Sequence, residues 1–268
     1  MTSSATWDQE ALLPADLGAG LLRVDLGPGV VAGFTTRHGG VSPAPWASLD
    51  LATSTGDEPA RVRRNRDLLE GWVGAPVAYS TQVHGDDVLV LGPEERAEWT
   101  AAPPSSAGEA DALVTAEPGL GLGVLVADCV PVVLADPVAR VVGVAHAGRR
   151  GLVAGVVDRA VDALLAQGAS TTGLRAAVGP AVCGTCYEVP EAMRDEVSAV
   201  VAQTWSSTEH GTAALDLPAG VLARLAARGV AAVRVDRCTR TDPDFFSHRR
   251  ATAAGEVTGR QAGVVVLG

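Results

Sequence analysis

Two histidines and one cysteine are the residues of this chain best suited to hold a metal ion. His84 lies in the segment TQVHG, Cys129 in VADCVP and His146 in VAHAG. Each stands where an apolar segment of strand length ends, so folding can bring all three to one edge of a sheet. Two imidazoles and one thiolate match the ligand preference of zinc, and three protein ligands leave one position for water. These residues predict a catalytic zinc site that lowers the pKa of bound water to about 7.

The same three residues also fit other roles. A cysteine in an apolar strand is often a small buried side chain, and a histidine at the end of a strand often bonds to a carbonyl group. A second chemical interpretation makes Cys129 a nucleophile and His146 its general base. Spacing alone does not decide among these roles, because ligands so far apart in the sequence form no regular pattern.

Several further polar segments are candidates for the same site. The loop 37–40 (RHGG) combines a guanidinium group, an imidazole and a flexible backbone, which suits an anion or a polar ring as well as an exposed turn. Arg63, Arg64 and Arg66 follow on a predicted helix, where only an inward-facing side chain is expected to matter. Asp128 precedes Cys129 and is expected to point to the opposite face, where it caps a turn or orients a ligand.

The other cysteines and the C-terminal segment are less specific. Cys183 and Cys186 have CxxC spacing, but no second CxxC exists to complete a four-thiolate zinc site, so a glycine-containing loop that lines the pocket is the preferred interpretation over a redox or structural zinc motif. The Phe245–Phe246 pair predicts a core plug in preference to an aromatic wall for a base. Arg260 and Gln261 either close the site or end a strand.

The elements that must position these residues alternate between strands and helices. Strands are expected at LLRVDL, VVAGFTT, VAYSTQV, DVLVL, ADALVT, LGVLVAD, VPVVLAD, VVGVAHA, LRAAVG, AAVRVD and AGVVVLG. The segment 93–109 is expected to be an exposed polar excursion. A helix begins near Asp57, and others follow Gly148, Pro190 and Leu217. This pattern predicts one α+β domain over 21–268, after a loosely ordered lead-in over 1–20.

Composition restricts the partners. The chain has 268 residues, a formal net charge of -10 and a sequence pI near 4.9, and an acidic surface repels phosphate backbones and anionic membranes. The sequence contains neither an apolar stretch of about 20 residues nor a secretory signal, which predicts a cytoplasmic protein. We therefore expect small-molecule partners, no nucleic acid, no membrane, and a monomer or weak homodimer.

Several motifs together resemble one family. They are TTRHGGVS, SLDLA, GDEPARVRRNR, TQVHGDDV, EADALVT, VADCVPVVLAD, VGVAHAGRRG, VGPAVCGTCYEV, CTRTDPDFFSHRR and TGRQAGVVVL, in this order. The chain resembles the bacterial purine nucleoside phosphorylase family, whose members were formerly called laccase-like polyphenol oxidases. This family includes peptidoglycan editing factor and has the laccase domain-containing protein as a relative. The resemblance covers about residues 22–268.

The resemblance implies a fold, an activity and a ligand set. The implied fold is a single-domain layered sandwich of mixed β-sheets flanked by helices. The implied activities are phosphorolysis of adenosine, inosine, guanosine and methylthioadenosine, and deamination of adenosine, with one zinc per chain bound by His84, Cys129 and His146. Arg37 is expected to contact phosphate or the polar substrate.

Further substrate contacts are predicted at Asp50, Arg66 and Cys186. Three positions depart from the pattern of the family. Arg149 replaces a usual Trp, Asp50 replaces a usual Asn, and Thr185 replaces the first of two usual cysteines. None of these departures removes a predicted metal ligand, so they bear on substrate preference.

Three other functions are weighed against this one. A Cys-dependent amidase or hydrolase that edits peptidoglycan precursors would use Cys129 as its nucleophile. A non-catalytic module would bind nucleosides without turnover. Copper-dependent phenol oxidation needs many more histidines in paired His-x-His motifs, and five scattered histidines do not supply them.

Overall fold

The computed structural model describes residues 20–101, 103 and 105–268. The predicted lead-in over 1–20 lies outside these residues except for Gly20. The strands in chain order are β1 (Leu21–Val24), β2 (Val30–Thr35), β3 (Val77–Tyr79), β4 (Val88–Leu91), β5 (Ala112–Thr115), β6 (Gly121–Val126), β7 (Val130–Asp136), β8 (Val141–Ala147), β9 (Arg175–Val178), β10 (Trp205–Ser207), β11 (Ala213–Leu215), β12 (Ala231–Arg234) and β13 (Gln261–Leu267). The helices are α1 (Pro59–Val73), α2 (Pro93–Ala101), α3 (Arg149–Ala154), α4 (Val156–Ala166), α5 (Glu191–Val200), α6 (Leu217–Ala227) and α7 (His248–Ala253).

Two mixed sheets form the centre of the fold. The first has the strand order β1-β2-β13-β6-β3, and the second has the order β12-β9-β7-β8-β5-β4. In the first sheet only β3 and β6 are parallel to each other. In the second, β7 and β8 form a seven-residue antiparallel pair. Strands β6 and β13 pack on β7 and β8, so the two sheets face each other as predicted for a layered α+β sandwich.

Strand β7 shows how one apolar segment serves two cores. Val133 and Ala135 belong to the core between the sheets, whereas Val132 and Leu134 belong to the core under the helices. Successive side chains of a strand point to opposite faces, so a strand covered on both sides is apolar throughout. Burying one Val or Leu side chain contributes roughly 1.5–3 kcal/mol, which explains why such continuous apolar segments form the central strands.

Several elements differ from the sequence prediction. The segment 93–109 is not a wholly exposed excursion, because α2 forms within it and buries Trp99, which is only 2% exposed. The single helix expected after Gly148 is two helices, since Gly155 adopts φ 105 and ends α3. The helix expected to continue to Trp205 ends at Val200, and Trp205 begins the hairpin of β10 and β11 instead. The chain also turns into α1 after Glu58 rather than Asp57, whose carboxylate accepts the Glu58 amide.

The loops between the two sheets set the position of the site. The chain crosses from the first sheet to the second between β3 and β4, and again between β6 and β7. Because β3 and β6 are parallel, both crossings lie at the same end of the sandwich. His84 lies on one crossing and Cys129 on the other. In the described part of the chain, no helix is both long enough and apolar enough to span a membrane.

Candidate metal centre and cavity

The three predicted ligands converge in the folded chain. The ligand atoms of His84, Cys129 and His146 all lie within 4.8 Å of one another. The Nε2 atom of His84 is 3.8 Å from the sulfur of Cys129, and the two imidazole rings meet edge to face with centroids 4.7 Å apart. His146 is buried, Cys129 is half-buried and His84 is exposed. The group therefore opens to solvent on the His84 side.

His84 lies in the loop after β3, and main-chain and side-chain hydrogen bonds fix the position of that loop. Strand β3 ends at Tyr79, but the amide of Gln82 continues the pairing, donating to the Leu125 carbonyl and accepting from the Leu125 amide, each at 2.8 Å. His84 then adopts a left-handed backbone with φ 62, which is uncommon for a residue other than glycine. The turn is therefore made by the candidate ligand itself.

Asp111 holds both histidines in place. Its carboxylate lies 2.7 Å from Nδ1 of His146 and accepts the main-chain amides of His84 and Gly85 at 3.0 and 2.7 Å. A histidine that bonds a carboxylate through one nitrogen presents the other nitrogen to a metal. Asp111 belongs to the motif EADALVT but was not among the predicted site residues. Its position directly before a buried strand was the feature of the sequence that could have indicated a role.

Gly148 allows the ligands to come together. A Cβ atom at this position would lie 2.7 Å from Cδ2 of His84 and 3.2 Å from the sulfur of Cys129. Real side chains do not tolerate the first of these distances, so the glycine of the AHAG segment is required by the close approach of His84. The backbone of Gly148 then leads directly into α3.

The electrostatics of the group favour a thiolate. Burial alone would raise the pKa of Cys129, but His146 and then His84 outweigh it and lower the pKa to about 6. Burial would likewise lower the pKa of His146, but the Cys129 sulfur and Asp111 raise it to about 9. Thiolates, rather than thiols, bind metals and act as nucleophiles. The arrangement therefore suits either a metal ligand set or a thiolate–imidazolium pair.

The donor set fits a zinc ion. With a Zn–N distance of about 2.1 Å, a Zn–S distance of about 2.3 Å and tetrahedral angles, the nitrogen and sulfur would be about 3.6 Å apart. The observed 3.8 Å between His84 and Cys129 is close to that separation. The Asp111 bond to His146 adds the outer carboxylate that metal-binding histidines commonly have. The residues could thus hold a metal ion without rearrangement of the backbone.

A cavity of about 530 Å³ adjoins this group and includes all three ligands in its wall. This volume lies in the range of small-molecule sites. Arg66, Arg260 and His248 also line it. The hydroxyl of Tyr79, which lies in the same wall, is buried without a hydrogen-bond partner. The cavity therefore combines a metal-binding group with local positive charge in an otherwise acidic protein.

Two of the predicted substrate contacts are associated with this cavity. Arg66 lines it, with its guanidinium 4.2 Å from the centre of the Tyr79 ring and its Nε donating to the Leu51 carbonyl. Asp50 is buried behind it, where its carboxylate accepts the amides of Arg260 and Ala52 and the hydroxyl of Thr55. Burial raises the pKa of Asp50 above its usual value. Asp50 is thus placed to position Arg260 rather than to touch a ligand in the cavity.

The other two predicted contacts, Arg37 and Cys186, do not line this cavity among the described residues. Arg37 lies in a shallower depression with His38, where its Nε donates to the Ala47 carbonyl at 2.6 Å. Cys186 lies instead beside Cys183 and Cys238. Their substrate roles therefore stay predictions that rest on the sequence.

Four further expectations have structural outcomes. The carboxylate of Asp128 accepts the Thr239 hydroxyl and the Arg249 amide. Neither partner is a candidate metal ligand, so these bonds do not support the expectation that Asp128 orients one. Phe245 and Phe246 are fully buried, as expected for a core plug. Arg260 lines the cavity, as the first of its two predicted roles requires, whereas Gln261 is the first residue of β13. The loop with Cys183 was expected to line the pocket and does not do so.

Comparison with known proteins identifies relatives along most of the chain. Residues 31–268 match the family model described as "Multi-copper polyphenol oxidoreductase laccase". The chain is 52% identical over 243 residues to "Purine nucleoside phosphorylase ORF3" of Streptomyces griseus, which covers 87% of this chain and 93% of that protein. It is 49% identical over 239 residues to "Purine nucleoside phosphorylase SCO2081" of Streptomyces coelicolor, which covers 88% and 94%.

Solved structures agree with these matches. The crystal structure of YlmD from Geobacillus stearothermophilus has a TM-score of 0.85 at 31% identity and covers 96% of this chain and 98% of that one. The structure of Neisseria meningitidis protein NMB0706 has a TM-score of 0.79 at 34% identity, with coverage of 92% and 99%. The chain belongs to the multi-copper polyphenol oxidoreductase laccase family, whose similar curated members carry the name purine nucleoside phosphorylase.

Proposed function

We propose that this protein is a zinc-dependent purine nucleoside phosphorylase that also deaminates adenosine. The observation that carries the proposal is the position of the His84–Cys129–His146 group in the wall of a cavity that also contains Arg66 and Arg260. The names of its relatives supply the substrate class, a purine nucleoside with inorganic phosphate. The proposal includes a cytoplasmic location, small-molecule substrates, and a monomer or weak homodimer.

Zinc bound by the three ligands would supply a Lewis acid for a substrate oxygen or for water. The chain's own residues orient this chemistry. Asp111 holds the His146 ring through Nδ1 and accepts the main-chain amide of His84, so it orients one imidazole and fixes the backbone that carries the other. The half-buried Cys129, whose pKa is about 6, provides a negative charge at neutral pH without the need for a separate base.

The arginines of the cavity provide the site for phosphate. In phosphorolysis, a phosphate oxygen forms a bond to the anomeric carbon while the C–N bond breaks and its electrons pass to the purine. Arg66 is buried by its contacts with Leu51 and Tyr79 and therefore holds its charge in a fixed place. Arg260 is fixed by bonds to the Thr258 and Gly259 carbonyls and by Asp50. Guanidinium groups match the geometry of phosphate oxygens.

A second candidate function has an observation of its own. The Cys129 sulfur lies within 4.8 Å of the His146 imidazole, which in turn bonds to Asp111, and this is the order of a nucleophile, its base and an orienting carboxylate. This arrangement favours the Cys-dependent amidase or hydrolase as the alternative if no metal is bound. Multicopper oxidation is not proposed, because His38 pairs with Asp244 and only two histidines belong to the described ligand group.

Product analysis tests the proposal directly. Purified zinc-loaded protein is incubated with inosine and phosphate, and with adenosine alone, and the products are separated by chromatography. We expect hypoxanthine and ribose 1-phosphate from the first reaction, inosine from the second, and neither from the His84→Ala variant. Hypoxanthine formation equal in the variant and the parent would refute the assignment. Binding of inosine without any product would support the nucleoside-binding module instead.

A further inference from the structure

A second group of metal-binding side chains lies outside the cavity. The sulfur atoms of Cys183, Cys186 and Cys238 lie within 4.8 Å of one another, and all three are free thiols. None is among the described residues that line the cavity. The proposed phosphorylase reaction uses none of them. We call these three residues the thiol cluster.

Main-chain pairing brings the cluster together from two separate segments. Cys183 and Cys238 are 55 positions apart in the sequence. Cys183 and Cys186 belong to one tight turn, in which the Cys186 amide donates to the Cys183 carbonyl at 3.0 Å. Ala181 pairs in parallel with Cys238, and the Thr239 amide donates to the Ala181 carbonyl at 3.0 Å. Main-chain hydrogen bonds therefore hold the backbones of the three cysteines close together.

Two of the three sulfurs have hydrogen-bonding groups beside them. The Cys183 amide donates to the sulfur of Cys238 at 3.3 Å, and the Thr185 hydroxyl lies 3.4 Å from the sulfur of Cys183. Hydrogen bonds to sulfur are a regular feature of metal–thiolate sites. A Cβ at Gly184 would lie 2.8 Å from Cβ of Asp216, so the turn packs in a position that only glycine permits.

The negative charge of three neighbouring thiolates explains why a cation would stabilise the cluster. Three thiolates at these distances repel one another, and a divalent ion between them removes the repulsion. Thiolate sulfur is a soft ligand that selects ions such as Zn²⁺, and a Zn–S distance of about 2.3 Å fits sulfurs that lie this close together. Arg240 donates to the Cys186 carbonyl at 2.9 Å and offsets the net negative charge of three thiolates with one Zn²⁺.

We propose that Cys183, Cys186 and Cys238 form a second metal site that binds Zn²⁺ through three thiolates, with water as the fourth ligand. Binding breaks three S–H bonds and forms three Zn–S bonds while the protons pass to solvent, so it requires no oxidant or reductant. The proposal is independent of the catalytic assignment, because it uses different residues. It raises the expected zinc content above the one per chain that the sequence predicts.

The second ion would hold the segment that precedes Cys129. Asp128 accepts the Thr239 hydroxyl at 2.6 Å through its carboxylate, and its main-chain carbonyl accepts the Val182 amide at 3.0 Å. Both partners adjoin residues of the thiol cluster. A metal ion that ties the two segments together would therefore stabilise the turn that presents Cys129 to the cavity.

Zinc content and cobalt spectra test the second site. Protein purified under reducing conditions and loaded with zinc is measured as the parent, as Cys129→Ser and as Cys183→Ser/Cys238→Ser. We expect about two zinc ions in the parent and about one in each variant. Cobalt-loaded Cys129→Ser should keep the strong sulfur-to-cobalt absorption of three thiolates, and Cys183→Ser/Cys238→Ser should lose most of it. Equal zinc content in the parent and in Cys183→Ser/Cys238→Ser would overturn the proposal, whatever Cys129→Ser shows.

Two controls guard against misfolding and oxidation. Glu188→Gln changes an exposed side chain close to the same turn but keeps every thiol and every hydrogen bond to sulfur, and should retain the parental zinc content. In the parent itself, a disulfide reagent should modify the thiol cluster slowly when zinc is bound and rapidly after chelation, which needs no variant. Equally rapid modification with and without zinc would contradict the proposal, as would a Cys183–Cys238 disulfide in freshly reduced, zinc-loaded protein.

Discussion

The Nδ1 atom of His146 lies 2.7 Å from a carboxylate oxygen of Asp111, and both side chains are buried. The same carboxylate accepts the main-chain amides that lead into and out of His84. One aspartate therefore sets the tautomer of one predicted ligand and the backbone of another. This relationship makes Asp111 a positioning residue for the metal centre.

We expect Asp111→Asn to weaken zinc binding at this centre by about 10- to 100-fold, the usual effect of losing an outer carboxylate. An asparagine amide cannot accept the bond from His146 and all the backbone amides at once. Competition with a calibrated chelator, performed in the Cys183→Ser/Cys238→Ser background, isolates the affinity of the first site.

Asp136→Asn is the matched control for that measurement. Asp136 is also a buried carboxylate that accepts several main-chain amides, but its partners are Val138, Ala139 and Ser170. We expect this variant to lose stability yet to keep its zinc affinity. An equal loss of affinity in both variants would mean that general destabilisation, rather than ligand orientation, is being measured.

The cavity arginines predict a selective effect on phosphate. Arg66→Gln and Arg260→Gln should each raise the KM for phosphate by roughly 10- to 100-fold, since hydrogen bonds to charged groups contribute about 1.5–3 kcal/mol. Zinc content should stay at the parental level. Initial rates at saturating inosine and varied phosphate measure the change.

Arg37→Gln separates this account from the role that the sequence predicted for Arg37. Arg37 lies in a different depression and contacts the Phe246 ring at 4.8 Å. The phosphate KM of this variant should remain within about threefold of the parent, a difference of less than 1 kcal/mol. A larger rise for Arg37→Gln than for Arg66→Gln would restore Arg37 as the phosphate ligand.

Gly148→Ala should damage the metal centre more than the fold. The added Cβ would lie 2.7 Å from His84 and 3.2 Å from the sulfur of Cys129, so at least one of the two side chains must shift and the spacing of the candidate ligands changes. We expect zinc to be lost from this site, together with most nucleoside turnover. Gly71→Ala serves as the control, because its Cβ meets nothing within 4 Å and alanine favours a helix by about 1 kcal/mol over glycine. Circular dichroism and zinc content distinguish the two variants.

Asp136 predicts a dependence of stability on pH. Burial would raise its pKa, but the amides of Ala139, Ser170 and Val138 outweigh burial and hold the pKa below the usual 3.8. A lowered folded-state pKa contributes stability above the unfolded-state pKa, and this contribution is lost as the pH falls through the folded-state pKa. Urea unfolding of the parent and Asp136→Asn should differ at pH 7 and converge below pH 4. A constant difference across this range would contradict the prediction.

The sequence predicts which residues converge as candidate metal ligands, because chemistry restricts the choice. With five histidines and four cysteines, few combinations place soft and borderline ligands at strand ends. The sandwich of the two sheets follows from continuous apolar strands such as β7, which only a doubly covered sheet can bury. These features depend on residue type and on local pattern.

Contacts between residues that are far apart in the sequence could not be predicted in the same way. The bond between Asp111 and His146 joins residues 35 positions apart, and the contact of Cys183 with Cys238 spans 55. Arg37 and Arg66 have the same charge in the sequence, and only the path of the loop before α1 decides that Arg66 faces the cavity. Asp50 likewise acts on Arg260, 210 positions away.

Zinc titration with simultaneous turnover tests the central claim most directly. Metal-free protein is titrated with zinc while hypoxanthine release from inosine and phosphate is recorded, with Cys129→Ala treated in parallel. The account predicts no turnover without metal, a rise to a plateau as the first site fills, and no turnover by Cys129→Ala at any zinc concentration. Full activity of the metal-free protein, or a parental response from Cys129→Ala, would contradict it.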